Sequence, residues 1–249
     1  RLYFGPKLES HALQVDARLE PALRVGWAWV RPLVLLFAGA LDWIYANLVA
    51  NYGVAIILLT VLLRVATFPL TQRSMKSMKR LSTVAPQMRE IQEKYREDSA
   101  RMQEEMMSLY RRTGVNPFSA MAGGCLPMLL QMPFMVALYF ALQGSIELRH
   151  AGFMLWIDDL SAPEHFASIM GVPIRPLPLL MGASMVLQQW LTPSTGDEQQ
   201  AQQRKMMMLM SGVFTVMFYQ FPSGLVLYWL VSNLLGIGQQ VVVNREPAK

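Results

Sequence analysis

The sequence predicts an all-α membrane protein: a five-transmembrane-helix bundle with a cytoplasmic antiparallel helical hairpin and an N-terminal interfacial helix. Hydrophobic residues make up 53% of the 249 residues and charged residues only 16%, which is too apolar for an ordinary soluble domain. The apolar residues fall in long, separate stretches, and lysine and arginine collect in one connection between them. The chain should therefore cross a lipid bilayer several times.

Five stretches approach the length of a membrane-crossing helix, which needs about 20 mainly apolar residues to cross about 30 Å of hydrocarbon. The third and fourth hold only 15 and 16 residues. At about 1.5 Å per residue they reach about 24 Å, which predicts local thinning of the bilayer. The predicted spans are residues 51–70, 118–142, 177–191, 206–221 and 223–243.

A further apolar stretch, residues 32–49, precedes the first span. Asp42 interrupts it, and Trp43 and Tyr45 are aromatic residues of the kind found at membrane surfaces. We favour a helix that lies in the interface, within a region of residues 18–50, and keep a sixth span as the alternative.

The distribution of positive charge predicts the orientation. Residues 72–114 carry ten lysines and arginines against six acids, whereas residues 147–178 carry only two against four acids. By the positive-inside rule, the first segment is cytoplasmic and the external loop 147–176 lies on the other side. Five spans then place the N-terminus outside, and the loop 192–205 and the tail 244–249 in the cytoplasm.

The basic segment, residues 72–115, has the periodicity of two helices packed side by side. Apolar residues recur every three or four positions, stop at residues 97–99 and then resume. An ordinary structural hairpin and a docking arm or moving lid remain equal alternatives. Its base, residues 73–80, has four cations and no acid, which favours anionic lipid headgroups over nucleic acid. The apolar positions are Leu81, Val84, Met88, Ile91, Tyr95, Met102, Met106 and Leu109.

Arg64 is the unusual residue of the first span, where Thr60, Arg64 and Thr67 share one helical face. An arginine near a helix centre costs at least about 2.5–3.5 kcal/mol, and no predicted span contains Asp or Glu to pair with it. We therefore expect a water-filled cavity that opens toward the basic side, with Arg64 as its fixed charge. Snorkelling of Arg64 toward the surface is the alternative.

Other spans also carry polar side chains able to form hydrogen bonds. As bonds between helices they would contribute about 0.6 kcal/mol each in lipid, and that structural role is the simpler explanation. The alternative is that they line the same cavity as Arg64. These residues are Gln131, Ser184, Gln188, Gln189, Thr215, Tyr228, Trp229 and Ser232.

Catalytic motifs are missing from the sequence. It has no zinc-type His-Glu-x-x-His, no nucleophile elbow, no phosphate loop and no metal-spaced Cys/His cluster. We therefore expect no enzyme, no cofactor and no metal. A transporter or channel, the alternative function, would need paired repeats and usually intramembrane acids, and the sequence has neither. An intramembrane hydrolase would need a base beside a serine such as Ser184 or Ser232, and no histidine or lysine accompanies these serines.

Several blocks resemble the YidC-type membrane protein insertases of bacteria. They are "NPFSAMAGGCLPMLLQMPFMVALYFAL", "GFMLWIDDLS" and "FPSGLVLYWLVSNLLGIGQQ", together with the Arg-bearing span and the basic hairpin. The resemblance runs in order over residues 26–243. "RLYFGPKLE" resembles the last strand of the periplasmic domain of Gram-negative members. Residues 1–17 would then be a remnant of that domain, with a first transmembrane helix and most of the domain outside this chain.

The resemblance implies a five-helix core around a hydrophilic groove that opens to the cytoplasm and to lipid and is closed toward the outside. The groove arginine matches Arg64, with Thr60, Gln131, Gln189 and Trp229 around it, and residues 32–49 match an interfacial helix. Two departures concern the start of the second span, which carries four additional residues before its Gly-Gly pair, and the short tail "NREPAK". We expect the basic tail that aids ribosome contact in some members to be either lacking or removed from this sequence.

The function that the resemblance implies is insertion of nascent membrane proteins into the bacterial inner membrane without a chemical step. A nascent segment would enter the groove, Arg64 would attract its acidic tail, and the apolar part would leave sideways into lipid. Expected partners are nascent membrane proteins, the ribosome, in some cases a Sec translocon, and anionic lipids, with no specific nucleic-acid recognition.

Overall fold

The computed structural model describes residues 27–114, 117–144, 148–192 and 198–245, and only the backbone of residues 117–128, 169, 172, 198–201 and 203. The predicted periplasmic remnant, residues 1–17, and the tail 246–249 lie outside the described residues. The fold is mostly helical. Its elements are α1 (Arg31–Asn47), α2 (Tyr52–Lys94), α3 (Ser99–Thr113), α4 (Pro117–Gly144), β1 (Ala167–Ile169), β2 (Val172–Ile174), α5 (Pro176–Leu191), α6 (Glu198–Phe218) and α7 (Ser223–Arg245).

Helix α1 occupies the stretch expected to form an interfacial helix. Proline in its first turn is favourable, because the missing N–H has no helical partner there. Leu36 and Trp43 are 62% and 59% exposed. The helix is thus apolar both on the face that packs and on faces that nothing in the described chain covers, a pattern typical of lipid contact. The buried face consists of Val34, Phe37, Leu41 and Ile44.

Helix α2 is continuous over 43 residues, with Pro69 and Pro86 inside it. The boundary predicted between the first span and the hairpin, at residues 71 and 72, therefore falls within a single helix. Asp98 caps α3 by accepting a hydrogen bond from the Arg101 backbone N–H at 3.1 Å. Gly114 ends α3 in the left-handed conformation, with φ of 66°.

Helices α2 and α3 pack through the apolar positions that the spacing singled out. A buried cluster on α2 meets partly buried side chains on α3, including Tyr110, which the periodicity did not pick. Apolar burial of this kind holds two otherwise charged helices together. The cluster consists of Leu81, Val84 and Met88, with Met106, Leu109 and Tyr110 against it.

The later helices differ from the prediction mainly at one end. Helix α5 has 16 residues, close to the predicted short span. Helix α6 begins at Glu198, eight residues before the predicted span, and has 21 residues. The predicted loop 192–205 is therefore wrong in its second half, because "EQQAQQRK" is polar but made largely of good helix formers.

A small β ribbon corrects the all-α prediction. β1 and β2 pair antiparallel, with Ile169 opposite Val172. The two residues of the turn, Met170 and Gly171, both have positive φ, at 51° and 82°. That is the signature of the tight hairpin turn whose twist matches the strands.

Two described helices, α2 and α7, are long and apolar enough to cross a membrane, and residues 129–144 of α4 form a shorter apolar helix. By the same measure the described parts of α5 and α6 fall short of that length or hydropathy. The contacts divide the described chain into two compact units. The first unit holds residues up to 62, 131–181 and 216–231, and the second holds residues 63–130, 182–215 and from 232 on.

In the first unit the loop before the ribbon is tied to the start of α7. The backbone N–H groups of Ser223 and Gly224 donate to the carbonyls of Ala162 and Leu160, each at 2.9 Å. A Cβ at position 224 would lie 3.0 Å from the Leu160 carbonyl oxygen. Glycine therefore permits this close approach.

Candidate functional site

Arg64 lies on α2 and is half-buried in the second unit. Its Nε donates to Ser232 Oγ at 3.0 Å, and its Nη2 donates to Ser232 Oγ and to the Ser232 carbonyl oxygen, each at 2.7 Å. Arg64 therefore has hydrogen-bond partners on α7 that the sequence did not predict, and the water-filled cavity around it stays a prediction. Hydrogen bonds to a charged group contribute about 1.5–3 kcal/mol each, enough to offset the insertion cost of the arginine. Ser232 is neutral, so these bonds satisfy donors without cancelling the charge.

Gly236, one turn after Ser232 on α7, lies beside this contact. A Cβ at this position would lie 3.0 Å from Gln188 Nε2 and 3.5 Å from Arg64 Nη2. Gly236 was not among the predicted site residues. Its position one helical turn after a predicted site serine was the available signal.

Other polar side chains of the second unit hydrogen-bond to each other or to nearby backbone carbonyls. Asn233 Nδ2 donates to Ser184 Oγ at 3.0 Å. Gln189 Nε2 donates to Ser211 Oγ at 2.6 Å and to the Met207 carbonyl at 3.0 Å. Among the described residues no donor reaches the buried Gln189 Oε1. This acceptor is the type of atom that a water or a bound chain satisfies.

The threonines of the predicted polar face bond mainly to their own helix. The hydroxyls of Thr60 and Thr67 donate to the carbonyls of Ile56 at 2.6 Å and Leu63 at 2.8 Å. Threonine commonly satisfies its hydroxyl in this way inside a membrane helix. Thr215 does the same on α6, to Ser211 at 2.8 Å. These contacts favour the structural explanation for the threonines.

The first unit contains the remaining predicted residues. Gln131 Nε2 donates to Tyr228 Oη at 2.6 Å. The Trp229 ring packs on Phe218 with centroids 5.1 Å apart, and Trp229 is only 8% exposed. The structure thus divides the predicted set. The first unit has Thr60, Gln131, Tyr228 and Trp229, and the second has Arg64, Thr67, Ser184, Gln188, Gln189, Thr215 and Ser232.

Lys79 belongs to the basic base that was expected to meet lipid headgroups. Its Nζ donates to the carbonyls of Val243 at 2.9 Å and Asn244 at 2.8 Å, in the last turn of α7. A cation at a helix C-terminus satisfies end carbonyls and the helix dipole. This lysine therefore has a structural role within the second unit.

A buried carboxylate in the first unit was missed entirely. Glu164, 5% exposed, accepts from Trp156 Nε1 at 2.6 Å and from the backbone N–H of Leu177 in the first turn of α5. Burial raises the pKa of Glu164, although these two donors and the charge of Arg175 oppose the rise. Arg175 in turn donates to the Tyr219 carbonyl and lies 5.0 Å from the Tyr219 ring.

No group of three or more metal-ligating side chains occurs in the part of the chain that the structure describes. The polar arrangement is one of amides, hydroxyls and a single guanidinium on helices. Such groups can orient and attract a bound chain through hydrogen bonds and charge.

Comparison with known proteins gives concordant results. Residues 43–249 match the family described as the 60Kd inner membrane protein. The chain is 48% identical to the membrane protein insertase YidC of Syntrophobacter fumaroxidans over 252 residues, covering 99% of this chain and 43% of that protein. It is 50% identical to the YidC of Pelobacter propionicus over 248 residues, covering 98% of this chain and 44% of that one. This chain therefore spans less than half the length of these relatives.

A crystal structure of an active YidC insertase with its first transmembrane domain resolved has a similar fold. The TM-score is 0.61 at 27% sequence identity, and the match covers 96% of this chain and 51% of the other.

Proposed function

This chain belongs to the 60Kd inner membrane protein family, and on that premise we propose that it inserts nascent membrane proteins into the inner membrane. Its relatives carry the name membrane protein insertase. The observation that carries the proposal is the placement of Arg64. A permanent positive charge lies half-buried among apolar helices and is held by the neutral Ser232.

The proposed role of this charge is to attract the acidic tail of a client. A charge in a partly buried site acts through a lower effective dielectric than one in water, so a carboxylate at about 4 Å gains several times more energy there. The half-buried amides and hydroxyls beside Arg64 would replace part of the tail's hydration. Gln189, in the same unit, has a buried acceptor that no described donor reaches, and it would accept a hydrogen bond from a backbone N–H of the client.

The apolar part of the client is proposed to leave into lipid. Side chains such as Leu62, Val65, Leu209 and Val216 are 59–74% exposed on their helices, and such surfaces fit a hydrocarbon environment. Burial of the client's apolar surface at about 25 cal/mol per Å² supplies the driving force. The protein lowers the barrier and performs no chemical step.

The finer architecture is part of the same proposal. We infer that α2, α4, α5, α6 and α7 cross the membrane and that α1 lies in its outer interface. The packed helices of residues 72–115 would stand in the cytoplasm. The external loop and the N-terminus would then be periplasmic, and the C-terminus cytoplasmic. The ribosome and the Sec translocon are proposed as partners in delivery, and anionic lipids as contacts of the basic residues.

Crosslinking during insertion tests this function. The whole protein is reconstituted in liposomes with a photo-crosslinking residue at Gln189 or Thr67, and stalled client chains are added. We expect crosslinks from both positions and few from Met170, the 99% exposed control in the β turn, together with protease-protected client. Solute or ion flux without client insertion would instead support a transporter or channel.

A further inference from the structure

The Nε and Nη2 edge of Arg64 faces Ser232. Both nitrogens donate to Ser232 oxygens, at 2.7–3.0 Å. In many proteins this edge is the fork that receives a carboxylate through two parallel hydrogen bonds. Here the hydroxyl and carbonyl of one serine occupy the fork. They orient the guanidinium plane while its charge persists.

The carbonyl half of this contact depends on an open helix surface. Ser232 lies inside α7, where its carbonyl also serves the helical ladder, and a carbonyl oxygen has a second lone pair for an outside donor. Gly236 lies one turn further along. A Cβ there would crowd Gln188 Nε2 at 3.0 Å and would make an ordinary contact with Arg64 Nη2 at 3.5 Å, so the missing side chain mainly leaves space for the Gln188 amide beside the guanidinium.

Holding the guanidinium matters because the arginine side chain is long and flexible. Its rotamer freedom amounts to about 2 kcal/mol, so an unheld side chain would spread its charge over many positions. The Coulomb energy falls with distance, and a shift from about 4 Å to about 7 Å removes nearly half of it. A fixed position therefore maintains the attraction for a client carboxylate.

We propose that Ser232 is a positioning residue that holds Arg64, that Gly236 leaves space for the Gln188 amide beside it, and that this arrangement sets the preference of the protein for clients with acidic tails. The proposal rests on the insertase function proposed above. It adds to that function the serine that fixes the position of the charge and the glycine that leaves space beside it.

The test compares matched variants of the whole protein in liposomes. Ser232→Ala removes the hydroxyl, and Ser232→Thr keeps it. Ser223→Ala is the control, because Ser223 lies on the same helix, is 1% exposed and donates to the Asp159 carbonyl at 2.6 Å, away from Arg64. Gly236→Ala is paired with Gly238→Ala, where an added Cβ meets nothing within 4 Å.

The first readout is the insertion of one single-span client with an acidic tail, divided by that of the same client with amides in place of the acids. We expect Ser232→Ala to lower this ratio about fivefold, because one acceptor is lost while the carbonyl contact can persist. Gly236→Ala should lower it about twofold. Ser232→Thr and both controls should keep the native ratio. An unchanged ratio in Ser232→Ala, or equal loss of both clients, overturns the proposal.

The second readout needs no client and separates the two proposals. An arginine-specific dicarbonyl reagent is added, and the modification of Arg64 is followed by mass spectrometry. We expect Ser232→Ala to react at least about threefold faster than the native chain, and Ser223→Ala to react at the native rate. If the native chain inserts neither client, the insertase function fails while this rate still decides the role of Ser232. An unchanged rate in Ser232→Ala overturns the positioning role even if insertion works.

Discussion

The two compact units of the chain bury different kinds of side chain. The first unit buries apolar residues completely: Ile56, Leu138 and Leu160 have no exposed surface. Apart from the cluster between α2 and α3, the second unit buries mainly polar groups on its helices, including Ser184, Ser232 and others. Close-packed apolar contacts resist change, whereas hydrogen bonds in lipid contribute about 0.6 kcal/mol each and can be exchanged. The difference supports a rigid first unit. It also supports a second unit whose polar side chains can exchange their hydrogen-bond partners.

The largest expected effect tests the apolar packing of the first unit. Leu138→Ala should lower the free energy of unfolding by about 3 kcal/mol, since the site is fully buried and truncation leaves a cavity. Unfolding in mixed detergent micelles measures it. Leu209→Ala, at a 70% exposed position, is the matched control and should change the stability by less than about 0.5 kcal/mol. Equal losses would contradict the close-packed core inferred for the first unit.

Glu164 is a buried carboxylate in the first unit, where Thr60 and Ser223 are also buried, and it gives the next effect. Glu164→Ala leaves Trp156 Nε1 and the backbone N–H of Leu177 without their acceptor, so we expect a loss of about 2 kcal/mol in unfolding free energy. The ratio of acidic to neutral client insertion should stay at the native value. A changed ratio with native stability would show that this carboxylate belongs to the client-binding surface instead.

The smallest expected effect is the pH dependence that Glu164 gives to the stability of the fold. Because its pKa is raised in the folded state, the fold binds the proton more tightly than the unfolded chain does. Its contribution to stability is fully present below the ordinary value of about 4.3 and is lost as the pH rises through the folded-state pKa.

Apparent unfolding midpoints at about pH 5 and about pH 7.5 test this sign. From the lower to the higher pH, the unfolding midpoint of the native chain should fall further than that of Glu164→Gln. Asp158→Asn, at an exposed position in the same loop, should behave like the native chain. A native chain that gains stability with rising pH relative to Glu164→Gln would contradict the assignment.

The helices were predictable where apolar runs were long, and less so at their ends. Helix α6 begins before its apolar run, at Glu198, because Gln, Glu and Lys are good helix formers and can continue a helix outside the lipid. The β ribbon was missed because Met-Gly lacks the Asn-Gly or Asp-Gly signal of a tight hairpin. Neither error concerned the identity of the helices that carry the site.

The candidate site was predictable as a set of residues and not as a set of contacts. Helical spacing places Arg64 and Thr67 on one face, but it does not say which other helix meets that face. Ser232, the partner of Arg64, is 168 residues away in the sequence. Glu164 was missed because a glutamate in a loop is usually solvated, and only the fold shows that it caps α5.

The most direct test of the account is the charge of Arg64 itself. Insertion of the acidic-tailed client and of its amide counterpart is measured for the native chain, Arg64→Lys and Arg64→Ala. Because lysine keeps the positive charge, we expect Arg64→Lys to retain much of the insertion of both clients. Arg64→Ala should reduce acidic-tail insertion about tenfold while the neutral client falls less than about twofold. Equal losses for the two clients in Arg64→Ala would contradict the electrostatic role on which the account depends.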